Sequence, residues 1–195
     1  MILYKPSNPR YFILGVISAL LIGYSVFSFY QDGHTEPIKT PRGKNPYQTS
    51  MPTPSEKSPV HLYFIAKNNN FLRSEQRAVI HPDGTVNFAR TIVEALIKGP
   101  QEDLLRTIPS GTKLNAVYVT SDGVCYVDLS EEIRRNHPGG SNTELLTIYS
   151  IVNSLILNVP EIERVKLLID GSEVLTLAGH INLQFPAKAN MLLIR

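Results

Sequence analysis

The sequence of 195 residues is poor in cysteine and in net charge, with one cysteine, Cys125, and a formal charge of +2 at pH 7. A single cysteine excludes a disulfide bond within the chain, so packing must stabilise the fold. Lipid attachment at a processed N-terminus requires a cysteine at that position, and we therefore expect no lipid anchor. Cys125 lies on the apolar face of a strand-like stretch, 124–129, and is predicted to be a buried core residue.

The small net charge is distributed unevenly along the chain. Residues before Ser58 carry a net charge of +3, and the rest of the chain carries −1. Nucleic-acid-binding surfaces need clustered basic residues that neutralise phosphate groups. Because the longer, C-terminal part of the chain is close to neutral, we expect no nucleic-acid partner.

The common signatures of catalysis and metal binding are also absent from the sequence. His61, His81, His137 and His180 do not have the spacing of metal ligands. No serine lies in a nucleophile elbow, no glycine-rich phosphate loop is present, and Cys125 lacks a convincing base. The sequence therefore predicts no metal, no cofactor and no enzymatic activity.

The sequence does contain an uncharged, apolar run of twenty residues, 11–30. A helix of that length rises about 30 Å, which matches the hydrocarbon thickness of a bilayer. Lys5 and Arg10 precede the run, and positive charge favours the cytoplasmic side, so residues 1–10 are predicted to be a cytoplasmic head. The alternative is a cleavable signal peptide, but its apolar core is usually shorter. We favour an uncleaved, single-pass anchor in membrane lipid, which places everything after Tyr30 outside the cytoplasm.

The segment that follows, residues 31–58, is rich in proline, threonine and serine. Such a composition does not bury enough apolar surface to offset the loss of conformational entropy on folding. We therefore predict a disordered tether with a span on the order of 30 Å. Residues 59–195 are enough for one domain with its own core.

The first half of this domain shows strand and then helix patterns. The stretches 60–66 and 71–80 are rich in β-forming residues and are predicted to pair as antiparallel strands. Apolar residues recur at helical spacing over 87–98, which predicts a helix capped by Thr85 or Asn87 and ended by a Gly-Pro pair.

The second half adds two further strand pairs around a long helix. The stretches 114–120 and 124–129 flank an Asp-Gly turn and predict a hairpin. Residues 141–144 form a capping box that opens a helix with a broad apolar face. The stretch 165–169 is predicted to be a central strand, with 173–177 as its hairpin partner. The fold class is therefore α+β: a mostly antiparallel sheet packed against two main helices, preceded by one N-terminal transmembrane helix.

An ordered series of short motifs runs through residues 60–186. It includes VHLYF at 60–64, ALIKGP at 95–100, IPSGTKL at 108–114, VDLS at 127–130, SIVN at 150–153, LIDG at 168–171 and LAGH at 177–180. In its order and spacing this series resembles the GerM domain of sporulation and germination proteins. The resemblance implies an envelope-anchored protein without established catalytic activity. It also implies two kinds of partner, namely a second copy of the chain, bound through sheet edges or helix faces, or peptidoglycan. An envelope protein is a third partner that we expect.

Four polar residues make up the candidate functional surface: Asp128, Glu131, Asp170 and His180. A glycan hydrolase would need two carboxylates about 5 to 10 Å apart, one with a raised pKa. Asp128 with Glu131 or Glu132 is the only close acidic cluster at a strand end. Capping and first-turn charge explain the same acids without catalysis. We therefore predict an extracytoplasmic, membrane-anchored binding or assembly module, with an envelope glycan hydrolase or modifying enzyme as the alternative.

Overall fold

The computed structural model describes residues 57–68 and 70–195. The predicted cytoplasmic head, the membrane anchor and most of the tether fall in residues 1–56, outside the described residues. Among the helices that the structure describes, none combines the length and the apolar character needed to cross a bilayer. The described chain begins in a β-strand at Lys57, two residues before the predicted start of the domain.

The first two strands form a sheet of their own. β1 (Lys57–Ile65) and β2 (Leu72–Ile80) are antiparallel and pair along their whole length. This confirms the antiparallel pair predicted from the sequence. Val60, Leu62 and Phe64 of β1 are fully buried, as expected when one face of a sheet packs on the core.

The second sheet has four strands in chain order: β3 (Leu114–Val119), β4 (Val124–Leu129), β5 (Arg164–Ile169) and β6 (Ser172–Glu173). The β3–β4 and β5–β6 pairs are antiparallel, as predicted, whereas β4 and β5 are parallel. The predicted partner of β5 ran over 173–177, but β6 ends at Glu173. Parallel neighbours require a long crossover. The helical segment between β4 and β5 supplies it, so the described domain has two sheets, one of them mixed, in place of a single sheet.

Three helices and one 3-10 turn complete the described domain: α1 (Thr85–Lys98), α2 (Glu132–Arg135), α3 (Ser141–Ile156) and the 3-10 turn Met191–Leu193. The two main helices, α1 and α3, agree with the prediction. Helix α1 contacts β1, β2 and β3, and α3 contacts β1, β5 and α1. The helices therefore connect the two sheets around one main core, and a smaller buried cluster consists of Tyr63, Leu72 and Leu146.

Both main helices begin after a glycine in place of a capping side chain. Gly84 precedes α1 with φ of 87°, and Gly140 precedes α3 with φ of 84°, a region that favours glycine. No side chain caps either N-terminus. The predicted cap of α1 and the predicted capping box of α3 are therefore wrong. The Glu144 side chain of that box bonds to a distant loop, described below.

Cys125 is fully buried in β4, as predicted. Burial in apolar surroundings disfavours the thiolate and raises the pKa of this thiol to about 12. The thiol is therefore a packing group and is unreactive at neutral pH.

Strand β5 contains a buried lysine. Lys166 is only 3% exposed, and its Nζ donates to the carbonyl oxygens of Leu183 and Gln184 at 3.0 and 2.6 Å. The same ammonium forms an ion pair with the Glu173 carboxylate at 2.9 Å. These three acceptors compensate the loss of hydration of the buried ammonium group. The two carbonyl contacts also hold residues 183–184 against the second sheet.

Candidate binding surface

Asp128 and Asp170 lie together at one end of the parallel pair β4–β5. Asp128 Oδ1 accepts a hydrogen bond from the Gly171 N–H at 2.8 Å. Asp170 Oδ1 accepts from the Asn115 side chain at 3.1 Å, and the Asp170 N–H donates to the Leu129 carbonyl at 2.9 Å. Two of the four candidate residues are therefore neighbours, and both stabilise the turn that follows β5.

Glu131 lies at the start of α2, beyond the end of β4. Its carboxylate is 3.9 Å from the Arg134 guanidinium, and the neighbouring Glu132 is 3.7 Å from that of Arg135. The Ser130 hydroxyl donates to the Glu132 carboxylate, which helps to hold the pKa of Glu132 below its ordinary value. Glu131, the third candidate residue, is therefore engaged in a partly exposed ion pair.

His180 belongs to a different contact, with the buried residue Glu144. Glu144 is fully buried, and its carboxylate accepts hydrogen bonds from the N–H groups of Leu177, Ala178 and His180 at 2.8 to 3.0 Å. The His180 ring Nδ1 is also 3.0 Å from the same carboxylate. Burial raises the pKa of Glu144, but these hydrogen bonds outweigh burial, so the pKa lies below its ordinary value. Glu144 therefore holds the 177–181 loop on the N-terminal end of α3.

A second network starts at the half-buried residue His137 and continues to buried threonines. The Gly139 N–H donates to His137 Nδ1 at 3.0 Å, so the ring proton is assigned to Nε2, 3.2 Å from the Thr147 hydroxyl. That hydroxyl in turn donates to the Thr107 carbonyl at 2.8 Å. Burial lowers the pKa of His137, although the charge of Glu144 acts in the opposite direction. The structure therefore favours the neutral imidazole.

We expect this histidine to make stability depend on pH in the weakly acidic range. In the unfolded chain His137 takes up a proton near pH 6.5, whereas in the folded chain its pKa is lower. The unfolded state therefore binds more protons as the pH drops from 7.5 to 5.5, and the free energy of unfolding should fall over that range. Urea unfolding at several pH values measures this slope. The variant His137→Gln should flatten it, and an unchanged slope in that variant would contradict the assignment.

The free edge of β1 is covered by polar side chains of α3 and the turn after it. The His61 N–H donates to Asn158 Oδ1 at 2.8 Å, and Asn158 Nδ2 donates back to the His61 carbonyl at 2.8 Å. The Tyr63 N–H donates to the Ser154 hydroxyl at 3.1 Å, and the Ser150 hydroxyl donates to the Tyr63 carbonyl at 2.5 Å. Ser150 and Ser154 are four residues apart on one face of α3, and Asn158 continues this spacing into the turn after the helix. That spacing of small polar residues was the signal that sequence reasoning missed.

A buried ion pair connects β2 to the C-terminal end of α1. Glu75 and Arg77 are 2% and 9% exposed and contact each other directly. Glu75 Oε2 also accepts from the Gln101 and Glu102 N–H groups, each at 2.8 Å. Burial raises the pKa of Glu75, but the hydrogen bonds and the Arg77 charge outweigh it, so the pKa lies below its ordinary value.

The Arg77 guanidinium also forms hydrogen bonds with the C-terminal end of α1. Its two terminal nitrogens donate to the Ala95 and Gly99 carbonyls, both at 3.1 Å. Its Nε is buried and has no hydrogen-bond partner among the described residues. The ALIKGP motif is therefore more than a helix stop, because its carbonyl groups are the acceptors that hold β2 on α1.

A groove of about 660 Å³ lies between β2 and α1. Its lining combines residues of β2 with residues of α1 and of the turns that follow each of them. The lining residues are Gln76, Arg77, Ala78, Val79, Ile80, Pro82, Thr91, Glu94, Ala95, Lys98 and Gln101. None of the four candidate residues lines this groove. The described domain therefore has two separate surfaces to consider, namely the acidic end of β4–β5 and the β2–α1 groove.

Comparison with solved structures shows the fold of the domain. The chain is similar to the first GerMN domain of the sporulation protein GerM from Bacillus subtilis, with 22% identity and a TM-score of 0.53, over 68% of this chain and 96% of that one. It is also similar to the tandem GerMN domains of the same protein, with 19% identity and a TM-score of 0.51, over 69% of this chain. In that alignment the chain spans about half, 46%, of the tandem.

A presumed lipoprotein from Clostridium perfringens aligns with 24% identity and a TM-score of 0.49, over 68% of this chain and 88% of that one. A search of curated protein sequences found no match. A sequence model of the Germane family, described as sporulation and spore germination, matches residues 61–175. That match covers more than half of the chain and confirms the resemblance to GerM domains. The chain therefore belongs to the Germane family of sporulation and spore germination proteins.

Proposed function

We propose that this protein is a membrane-anchored, extracytoplasmic module that binds or assembles with a partner and has no catalytic activity of its own. One observation carries the proposal: the buried acids of the domain are occupied in holding the backbone. Asp128 accepts from Gly171, and Glu144 accepts from three N–H groups of one loop. A carboxylate engaged in this way is a structural acceptor.

The proximity of Asp128 and Asp170 is the one observation that favours the alternative, an envelope glycan hydrolase. General acid catalysis on a glycan requires a carboxyl group whose pKa is raised. The described carboxyl groups with a shifted pKa are all held below their ordinary value: Glu75, Asp122, Glu132 and Glu144. These shifts favour permanent charge, which suits ion pairs and hydrogen bonds better than proton donation.

Anchoring gives a binding module a physical advantage. A span at residues 11–30 would confine the domain to two dimensions, and a tether at residues 31–58 would let it reach away from the lipid. Confinement raises the effective concentration of the domain towards any partner in the same membrane or wall. A weak contact with an envelope protein, a second copy or peptidoglycan would then suffice for assembly during sporulation or germination.

One experiment tests both the location and the function. Wild-type Cys125 is buried and unreactive, so the variant Ser172→Cys introduces a single accessible thiol, on the exposed strand β6 beside Asp170. Protoplasts are treated with a membrane-impermeant maleimide that carries a photocrosslinker. We expect labelling of the variant but not of the wild type, followed by crosslinking to a protein or to residual glycan.

Two outcomes would contradict this proposal. Labelling only after lysis would place the domain in the cytoplasm. Release of soluble fragments from purified peptidoglycan by the full-length chain, lost in Asp128→Asn or Asp170→Asn, would instead identify a hydrolase. The wild type and the two Asn variants are therefore assayed side by side.

A further inference from the structure

The outer edge of β2 carries backbone groups that no described residue satisfies. His61 and Tyr63 of β1 direct their N–H and C=O groups towards α3, so the alternate residues of β1, such as Leu62, bond to β2. In the antiparallel register, the backbone groups of alternate β2 residues therefore point away from β1. Those residues are Ser74, Gln76, Ala78 and Ile80.

The C-terminal residue confirms this alternation at the start of the strand. Leu72, two positions before Ser74, accepts a hydrogen bond from the Arg195 N–H at 2.9 Å on the outer side. Beyond Leu72, within residues 57–68 and 70–195, no backbone or side-chain hydrogen bond reaches the outward groups of β2. An edge strand in this state is a template for pairing with another strand.

The groove described above runs along this edge. Its volume of about 660 Å³ lies in the range of about 300–1,000 Å³ that is typical of ligand sites. Five consecutive residues of β2, 76–80, line it. An extended segment lying here would supply acceptors to the outward N–H groups of β2.

Two charges on α1 border the groove and specify the chemistry of such a segment. Glu94 and Lys98 are exposed, line the groove and form no ion pair with any described residue. They are one helical turn, about 6 Å, apart. Side chains two residues apart on one face of a strand have nearly the same spacing, about 6.6 Å. A strand with one basic and one acidic side chain at this spacing would therefore neutralise both charges.

The direction of the helix sets the order of these two charges. Glu75 accepts a hydrogen bond from Gln101, just after α1, whereas Arg77, two residues later in β2, donates to Ala95, earlier in the chain. Moving forward along β2 is therefore moving backward along α1, so the strand and the helix run in opposite directions. A segment antiparallel to β2 therefore runs in the direction of α1 and meets Glu94 before Lys98. Its basic residue must precede its acidic residue.

We propose that the β2–α1 groove binds an extended segment of a partner polypeptide by strand addition, antiparallel to β2, with a basic residue facing Glu94 and an acidic residue two positions later facing Lys98. Main-chain hydrogen bonds would supply affinity, and the two charges would supply specificity. This inference rests on the proposed function, because it names how a binding module would hold its partner. Its test uses purified chain, so its failure is distinguishable from a failure in localisation or from hydrolase activity.

The test begins with a random heptapeptide display library, selected against the full-length chain in detergent. The affinity of the selected peptides is then measured by fluorescence anisotropy for the wild type, Ala78→Pro and Ala78→Val. Proline removes the outward N–H, whereas valine keeps it and adds similar volume at the same exposed position. We expect the proline variant to bind about tenfold more weakly, as for the loss of one hydrogen bond, and the valine variant to match the wild type.

A second variant keeps the proposal falsifiable if proline disturbs the strand. The exchange Glu94→Lys with Lys98→Glu, on the exposed face of α1, should reverse the preference to peptides with the acidic residue first. Failure to select any peptide, equal binding by Ala78→Pro and Ala78→Val, or an unchanged charge preference in the exchanged variant would overturn the proposal. A dimer of the wild type that Ala78→Pro dissociates would overturn it in favour of a second copy as the occupant.

Discussion

The free energy of unfolding of the variant Glu144→Gln should be about 3 kcal/mol lower than that of the wild type. The change removes a buried, charged acceptor of several hydrogen bonds. Glutamine has the same size, but its amide group offers one acceptor oxygen and places N–H donors against N–H donors. At least one of the Leu177, Ala178 and His180 N–H groups would then lack an acceptor. Urea unfolding followed by circular dichroism at pH 7 measures the change.

The matched control for this change is Glu161→Gln. Glu161 is exposed, and its carboxylate makes no hydrogen bond with the described residues, so its loss should change stability by less than about 0.5 kcal/mol. Hydrogen exchange should also show the 177–181 loop opening in Glu144→Gln while the β1–β2 pair stays protected. Equal stability of the two glutamine variants would show that Glu144 does not hold this loop.

Replacing Arg77 by methionine should lower the free energy of unfolding by about 3 to 5 kcal/mol, the usual effect of removing one partner of a buried ion pair. The Glu75 carboxylate would remain buried without its counter-charge, and the Ala95 and Gly99 carbonyls would lose their donor. Arg73→Met is the control on the same strand. Arg73 is half-exposed, and its guanidinium lies 3.9 Å from the Glu102 carboxylate, which is also half-exposed. Exposed pairs of this kind contribute about 0 to 1 kcal/mol.

A double-mutant cycle separates the pair from its surroundings. Glu75→Gln combined with Arg77→Met removes both charges and keeps an acceptor for the Gln101 and Glu102 N–H groups. The double variant should therefore be more stable than Arg77→Met alone, with an interaction energy of about 1 to 3 kcal/mol. Additive effects would mean that the two side chains do not depend on each other, contrary to the geometry.

Much of the secondary structure was predictable because it depends on local periodicity. Apolar residues at helical spacing predicted α1 and α3, and alternation around turns predicted the β1–β2 and β3–β4 pairs. The helix starts were predicted wrongly, because a serine followed by a glutamate three positions later is typical of a capping box, yet the chain enters α3 through Gly140. The second partner of β4, the parallel strand β5, was also missed, because parallel pairing depends on the path of the intervening helices.

The candidate surface was predictable only in part, for a related reason. Asp128 and Asp170 are 42 positions apart, and the parallel register of β4 and β5 brings them to the same turn. The prediction that His180 shares their surface stays a prediction. In the structure, the His180 backbone and ring contact the Glu144 carboxylate. The Glu75–Arg77 pair was overlooked because alternating charges on a strand usually indicate a solvated face. Here that face packs against α1.

Composition and local pattern were sufficient for the α+β class, for the absence of a disulfide bond and for a packed core, and the ordered series of motifs indicated the family by resemblance. These properties depend on residues close together in the chain, so they can be derived before any tertiary contact is known. The partners of the buried acids, the parallel β4–β5 register and the open edge of β2 depend on residues tens of positions apart. Only folding decides which distant donor reaches each acceptor, and those contacts determine which polar groups remain free to bind.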